Sequence, residues 1–117
     1  YKTQVYALAK FINRNREIIP SSIIEKAPSA ELRPNQKDAD SLPEYHLLDE
    51  ILYQYIEHHK SPNEIKKTNN DTGLVDKVLK LVNANEYKRN QFCPIIRISP
   101  KSFGLGRRMP IVGKYLS

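Results

Sequence analysis

The chain has 117 residues, 39% of them hydrophobic, and a formal net charge of +6. That length holds one modest domain with a small core, and no run approaches the ~20 apolar residues that cross a bilayer. A single cysteine, Cys93, excludes an internal disulfide framework and a cysteine-based metal cluster; with no signal peptide at its start, the expected compartment is the cytoplasm.

The charge is unevenly placed. Residues 1–86 carry twelve of the nineteen bases and all thirteen acids, which leaves seven bases and no acid in 87–117. Such an arm can meet a phosphate-bearing ligand, a nucleic acid or an acidic face of a neighbouring domain. The chain opens on Tyr1 directly ahead of a helical pattern, which reads as a piece of something longer.

Val5, Leu8, Ala9 and Ile12 recur at the spacing of one buried helix face, so a helix is predicted from Thr3 to about Asn13. Ser22 with Glu25 has capping-box spacing for a short helix that Pro28 must end. From Ala27 to Pro43 the chain reads as an irregular loop: Pro28, Pro34 and Pro43 each lack an N–H and push the preceding residue out of the helical region. Ser41, Pro43 and Glu44 mark the next helix start, and Leu47, Leu48, Ile51, Leu52, Tyr55 and Ile56 give it an apolar face to about His59. Ser61-Pro62-Asn63-Glu64 repeats the cap, proline and acid pattern for a helix of a turn or two, ending in the polar run Lys66 to Asp71. From Thr72, Leu74, Val75, Val78, Leu79 and Val82 define a fifth helix that can continue through Glu86-Tyr87-Lys88-Arg89. The first, third and fifth helices are expected to make the main core. Beyond them Pro94, Pro100, Gly104, Gly106, Pro110 and Gly113 prevent long regular structure, although Ile95, Ile96 and Ile98 fit a short extended segment. The tail is expected to wrap over another surface, and the class is mainly α.

A long irregular loop in a small chain is a common home for function. Here Ser29, Glu31, Arg33, Gln36, Lys37, Asp38 and Asp40 suit phosphates, a cation or simply water. Tyr87-Lys88-Arg89 sets an aromatic face beside two cations, which suits a nucleotide base and its phosphates, although the residues alone favour a basic helix end complementing its dipole. Arg107 and Arg108 fit either a phosphate grip or a tail anchor. His58 and His59 lie at a helix end with no metal-ligand spacing around them and are given no role. Cys93 has no histidine near it in sequence and precedes Pro94, so a packed thiol is expected rather than a nucleophile.

Four blocks carry a resemblance. Lys2-Thr3-Gln4-Val5-Tyr6-Ala7-Leu8-Ala9, then Pro28-Ser29-Ala30-Glu31-Leu32-Arg33-Pro34-Asn35-Gln36-Lys37-Asp38, then Asn85-Glu86-Tyr87-Lys88-Arg89, and Phe103-Gly104-Leu105-Gly106-Arg107-Arg108-Met109-Pro110-Ile111 together resemble the C-terminal part of the NAD synthetases. Their order and spacing match across essentially the whole chain, with the glutamine-dependent, two-domain bacterial branch the most similar.

The resemblance implies that residues 1–117 are the C-terminal helical portion of an α/β adenine-nucleotide α-hydrolase-like domain of the N-type ATP pyrophosphatase kind. It implies an amide-forming ligase: ATP adenylates the nicotinate carboxylate of deamido-NAD, pyrophosphate leaves, and ammonia displaces AMP to give NAD. In the glutamine-dependent branch an N-terminal nitrilase-like glutaminase domain releases that ammonia. Carried over residue by residue, Lys2 resembles the lysine that contacts ATP phosphates and Ser29 the hydroxyl residue of the mobile loop that contacts ATP. Tyr87 and Lys88 resemble the pair that contacts deamido-NAD, although the ammonia-dependent branch tends to have histidine where this chain has Tyr87. The family's phosphate loop, Ser-Gly-Gly-x-Asp-Ser, is missing from this sequence, and so is any glutaminase triad. The magnesium-binding acids lie upstream in the family. The chain alone is therefore expected to be inactive, with exposed apolar surface where the missing half packs, and a homo-oligomer is expected by the same resemblance. The rival from another class is a small basic helical module that binds nucleic acid through its tail. Against it stand the acids of the loop and the want of a recognised nucleic-acid motif. A purely structural interaction domain is the third reading.

Overall fold

The computed structural model describes residues 1–29, 32–101, 103–104, 106–110 and 113. Ala30, Glu31, Leu105 and Ile111, which belong to the blocks quoted above, lie outside the described residues. Among the described residues the chain is helical, with no strand: α1 (Lys2–Ile12), α2 (Ser21–Glu25), a 3-10 turn (Asp38–Asp40), α3 (Tyr45–Ile56), α4 (Pro62–Thr68), α5 (Thr72–Ala84) and α6 (Glu86–Arg89). Two compact units are present, Tyr1–Asp49 and Glu50–Ser117, and α3 contributes its first turn to one and the rest to the other.

In the first unit the start of α1 is fixed by a carboxylate. Asp49, 8% exposed, accepts from both the N–H and the Oγ1 of Thr3 through one oxygen, each at 2.7 Å. The first turn of a helix has backbone donors with no helical partner and a positive end of the dipole, so a buried acid there satisfies both. At the other end Asn13 Oδ1 accepts from the N–H groups of Ile18 (3.0 Å) and Ile19 (2.9 Å), which folds the chain sharply after α1.

The predicted apolar face of α1 is not a core face. Val5 and Leu8 are each 58% exposed, Ile12 is exposed too, and α1 buries no residue. Its periodicity is genuine, but nothing among the described residues of its unit covers it. The capping box predicted for α2 also fails to form. Glu17, upstream, takes the cap by accepting from Ser21 N–H (2.6 Å) and Ser21 Oγ (3.1 Å), and the helix then stops at Lys26, ahead of Pro28 as expected. Ser41 does not cap α3 either. Its N–H and hydroxyl both return to the Asp38 carbonyl, and the first α3 bond, from Leu48 N–H, reaches Glu44 O at 3.0 Å, so the helix begins two residues after Pro43.

The second unit holds the core. Ile51 and Ile56 of α3, Ile65 of α4, and Val75, Val78 and Leu79 of α5 are all buried, each worth ~1.5–3 kcal/mol of apolar burial. Buried Gln54 serves as a polar rivet beside them: its Oε1 accepts from Lys60 Nζ (3.1 Å) and Thr68 Oγ1 (3.2 Å), joining α3 to both ends of the segment that carries α4. Past α3 the chain turns through His59, whose φ of 54° lies in the left-handed region that histidine tolerates better than branched residues, and the Lys60 amide returns to Gln54 O at 3.1 Å. α4 opens on the predicted capping box, with Ser61 N–H donating to Glu64 Oε2 at 2.8 Å and Glu64 N–H to Ser61 Oγ at 3.4 Å. The Ser61 hydroxyl, donating to Glu64 Oε2 at 2.6 Å, and the Ser61 N–H together hold the Glu64 carboxyl below the usual carboxylate range. α5 is capped by Asp71, whose Oδ1 accepts from Leu74 N–H at 2.9 Å.

The fifth helix does not run through to Arg89. α5 ends at Ala84, where the N–H and the Nδ2 of Asn85 both donate to the Leu81 carbonyl, at 3.1 Å and 2.8 Å, a local side-chain bond of the kind that makes asparagine a poor residue to continue a helix. The four residues that follow make α6 as a separate turn. The expected extended segment is not a strand; Ile96 and Ile98 are among the most exposed residues of the chain. Cys93 is exposed rather than packed.

These features set two expectations for chemical denaturation. Leu79→Ala, at a fully buried site, lowers stability by about 2–5 kcal/mol, and Asp71→Ala, which removes the α5 cap, by about 1 kcal/mol.

Candidate functional site

Lys2 and Ser29 lie in the first unit and Tyr87 and Lys88 in the second, so two half-sites are described.

In the first, Lys2 stands at the first position of α1, its Nζ 5.8 Å from the ring centroid of Tyr6 and 5.8 Å from that of Tyr45. Two aromatic faces steady an ammonium without neutralising it, so the charge stays available for an anion. Tyr45 then reaches the loop: its hydroxyl donates to Asp38 Oδ2 at 2.5 Å. Asp38 N–H in turn donates to Pro28 O at 2.8 Å and shuts the neck of the loop. Inside the neck, Gln36 Oε1 accepts from Leu32 N–H (3.1 Å), and Asn35 takes a φ of 57°, which asparagine adopts readily. The loop is thus built from its own amides, and Lys37 N–H closes the exit on Asp40 Oδ2 at 2.8 Å.

This geometry forms a cleft of about 580 Å³ in which Ser29 sits with Lys26, Arg33, Asn35, Gln36 and Lys37. Three cations, two amides and a hydroxyl around one cleft are the donors that phosphate oxygens need. Asp38 and the exposed Asp40, candidates on the same loop, accept from hydroxyl and amide donors of this chain and serve as braces. Among the described residues no three His, Cys, Asp or Glu side chains converge to hold a metal ion.

In the second half-site α6 alternates inside and outside. Glu86 is 4% exposed and Tyr87 48%, Lys88 is exposed, and Arg89 turns inward again. Lys88 Nζ lies 6.0 Å from the Tyr87 ring centroid, so an aromatic face and an ammonium are offered together to the outside. Arg89 donates to Glu86 Oε1 through Nε (2.8 Å) and also through Nη2, and through Nη1 to the carbonyls of Phe103 (3.1 Å) and Gly104 (2.6 Å). Arg107 brings Nε to 3.6 Å from Glu86 Oε2, with its guanidinium 5.1 Å from the Tyr55 ring centroid. Of the two sequence readings for Arg107, the anchor is the one realised. Elsewhere in the tail Arg97 and Arg108 are exposed, Arg97 donating to the carbonyls of Ser99 (3.0 Å) and Pro100 (2.6 Å). Sequence reasoning missed Tyr45, Asp49 and Glu86; for Glu86 a signal existed in its three-residue spacing from Arg89, whereas the Asp49 to Thr3 contact is long-range.

Burial pushes the Tyr45 hydroxyl up to about 12, aided by its bond to Asp38 and by the Asp38, Tyr6 and Asp49 charges. The folded state therefore holds this proton more tightly than the unfolded chain, so the associated stability is complete below about pH 10 and is lost as pH rises toward 12. Ultraviolet titration at tyrosinate wavelengths is expected to show a phenol with its midpoint near pH 12 that Tyr45→Phe removes.

A family model described as NAD synthase matches residues 1–92. The glutamine-dependent NAD(+) synthetase of Acinetobacter baylyi is 51% identical over 114 residues, covering 96% of this chain and 21% of that protein. That of Synechocystis sp. is 46% identical over 110 residues, covering 94% and 20%. Among solved structures, the glutamine-dependent NAD+ synthetase from Acinetobacter baumannii in complex with ADP aligns with a TM-score of 0.58 and 39% identity, over 95% of this chain and 19% of that one. The chain spans about a fifth of the length of the relatives it matches. With most of its length matched by the family model and nearly all of it by these synthetases, the chain belongs to the NAD synthase family.

Proposed function

We propose that residues 1–117 are the C-terminal portion of a synthetase domain whose upstream α/β half, of the N-type ATP pyrophosphatase kind, completes the site. The complete enzyme converts deamido-NAD to NAD with ATP and with ammonia drawn from glutamine. What carries this reading is 44–51% identity to glutamine-dependent NAD+ synthetases along nearly the whole chain, joined to a cationic, hydroxyl-bearing cleft at the loop.

In this reading the two half-sites have separate work. The Lys2 ammonium, set against two rings, follows the negative charge that develops on the departing pyrophosphate. Ser29 donates its hydroxyl to the phosphates while the loop closes over them and excludes water. Tyr87 gives a face on which an aromatic base can lie, and Lys88 gives deamido-NAD an anion contact. Positioning the nicotinate carboxylate for adenylation and then the acyl adenylate for ammonia is chiefly a matter of orientation. When bound, magnesium offsets phosphate charge in the full enzyme; its ligands belong to the part upstream of this chain. A cytoplasmic homo-oligomer is the expected form. The carbonyl bonds of Arg89 and Arg97 within this chain weigh against the nucleic-acid module, because a cation already bonded to carbonyls releases few counterions on a phosphate backbone.

The test is NAD formation from deamido-NAD, ATP and ammonia. The chain alone is expected to be inactive and a polypeptide extended upstream through the nucleotide-binding half active. In the extended protein Ser29→Ala lowers kcat/KM by roughly 100-fold, the scale of one lost transition-state contact, and Lys88→Ala raises the KM for deamido-NAD. A folded but inactive extended protein, or rates untouched by both substitutions, would overturn the assignment.

A further inference from the structure

We propose that Arg107 is a positioning residue for the substrate: together with Glu86 and Arg89 it sets the orientation of the turn that presents Tyr87 and Lys88 to deamido-NAD. The proposal rests on the assignment of Tyr87 and Lys88 made under the proposed function.

A helix of four residues does not hold itself, because nucleating a turn costs more than its few bonds return. α6, at Glu86–Arg89, is such a helix, so its rotational setting must come from outside. It comes from two inward side chains. Glu86 and Arg89, 4% and 11% exposed, face the interior at i and i+3, which turns the two residues between them to the outside. Glu86 fixes one edge of α6 and Arg89 ties the other to the Phe103 and Gly104 carbonyls. Arg107 is the remaining support. Its side chain is 10% exposed, its guanidinium stands over Tyr55 of α3 at 5.1 Å and near Phe103 at 6.0 Å, and its charge faces Glu86.

The joint between Arg107 and Glu86 has slack. Among the described residues Glu86 Oε2 and Arg107 Nε are buried and lack a hydrogen-bond partner although they lie 3.6 Å apart. Such a pair attracts without being saturated, and contacts of this kind in a site tighten when ligand arrives. An anion drawing on Lys88 therefore loads the turn against Arg107. Removing one member of a buried charge cluster leaves the others uncompensated, so loss of Arg107 lets Glu86 seek water and rotates α6. The residues matched by the family model end at 92, so this support comes from the tail beyond it.

The experiment compares wild type, Arg107→Ala, Arg107→Lys, Lys88→Ala and the Arg107→Ala/Lys88→Ala double variant in the extended synthetase, with deamido-NAD and ATP varied separately and melting followed for each. Arg107→Ala is expected to raise the KM for deamido-NAD about tenfold or more, as small misplacements in a site do, with the KM for ATP unchanged. Arg107→Lys, which keeps the charge but not the planar fork, recovers only part of that. The double variant is expected to lose less than the product of the two single effects, since part of what Arg107→Ala costs is the Lys88 contact itself. Equal KM values for folded Arg107→Ala and wild type overturn the proposal while a raised KM in Lys88→Ala leaves the site assignment standing. If Lys88→Ala is also without effect, the site assignment itself fails and the proposal with it. Loss of the fold in both Arg107 variants, or effects on both substrates alike, makes Arg107 a stability residue only and likewise overturns it.

Discussion

A carboxylate taken out of water must find partners, and in the second unit that requirement organises everything after α5. Glu86 is buried where α5 has just ended. An isolated charge there would be costly. Arg89 meets it from the same turn and Arg107 from the tail, and the tail, poor in regular structure, is drawn back to supply the second cation. Glu57 repeats the device nearer the core: Ser99 Oγ donates to it at 3.0 Å and Lys101 N–H at 3.3 Å. Buried or half-buried acids, rather than apolar contacts, hold an irregular segment rich in exposed isoleucines to the helices.

Acids also set the geometry of the first unit, with a different division of labour. Asp49 fixes the beginning of α1 through Thr3, and Asp38 fixes the neck of the loop through Tyr45 and the Pro28 carbonyl. The Tyr45 ring also faces Lys2. One side chain thereby relates the helix end that bears a candidate phosphate contact to the loop that bears Ser29. The loop is long in sequence, yet the Asp38 N–H reaches back to the Pro28 carbonyl in the manner of an Ω-loop, and its closure entropy grows only slowly with length.

Much of this was legible in advance. The periodicity of Leu74, Val75, Val78, Leu79 and Val82 located α5, and Ser61 with Glu64 located the start of α4, because these signals are local. Prolines 28, 34 and 43 kept the loop out of the helices. The four sequence blocks led to the family, which composition and charge alone do not. Elsewhere local rules lost to neighbours. Ser22 and Ser41 had cap spacing, but Glu17 and the Asp38 carbonyl took the competing bonds. Asn85 broke a helix whose apolar pattern had ended at Val82, and Tyr87, Lys88 and Arg89 then formed a turn of their own. The stripe on α1 is apolar, as its spacing predicts, but stands exposed rather than in the core; a sequence pattern gives the face and not its cover. Lys2 and Ser29 stand in a setting suited to anions, through ring contacts and a cleft that no spacing rule encodes.

The place of Arg107 in the chain has a genetic side. Every residue matched by the family model lies at or before 92, yet the guanidinium that faces Glu86 is encoded downstream of that point. A premature stop codon in the stretch between them would leave the matched portion intact, codon for codon, and still strip the interior of half its counter-charge. Such an allele would keep the portion the family model matches while removing Arg107 and, if it falls early enough, the Phe103 and Gly104 carbonyls that hold Arg89.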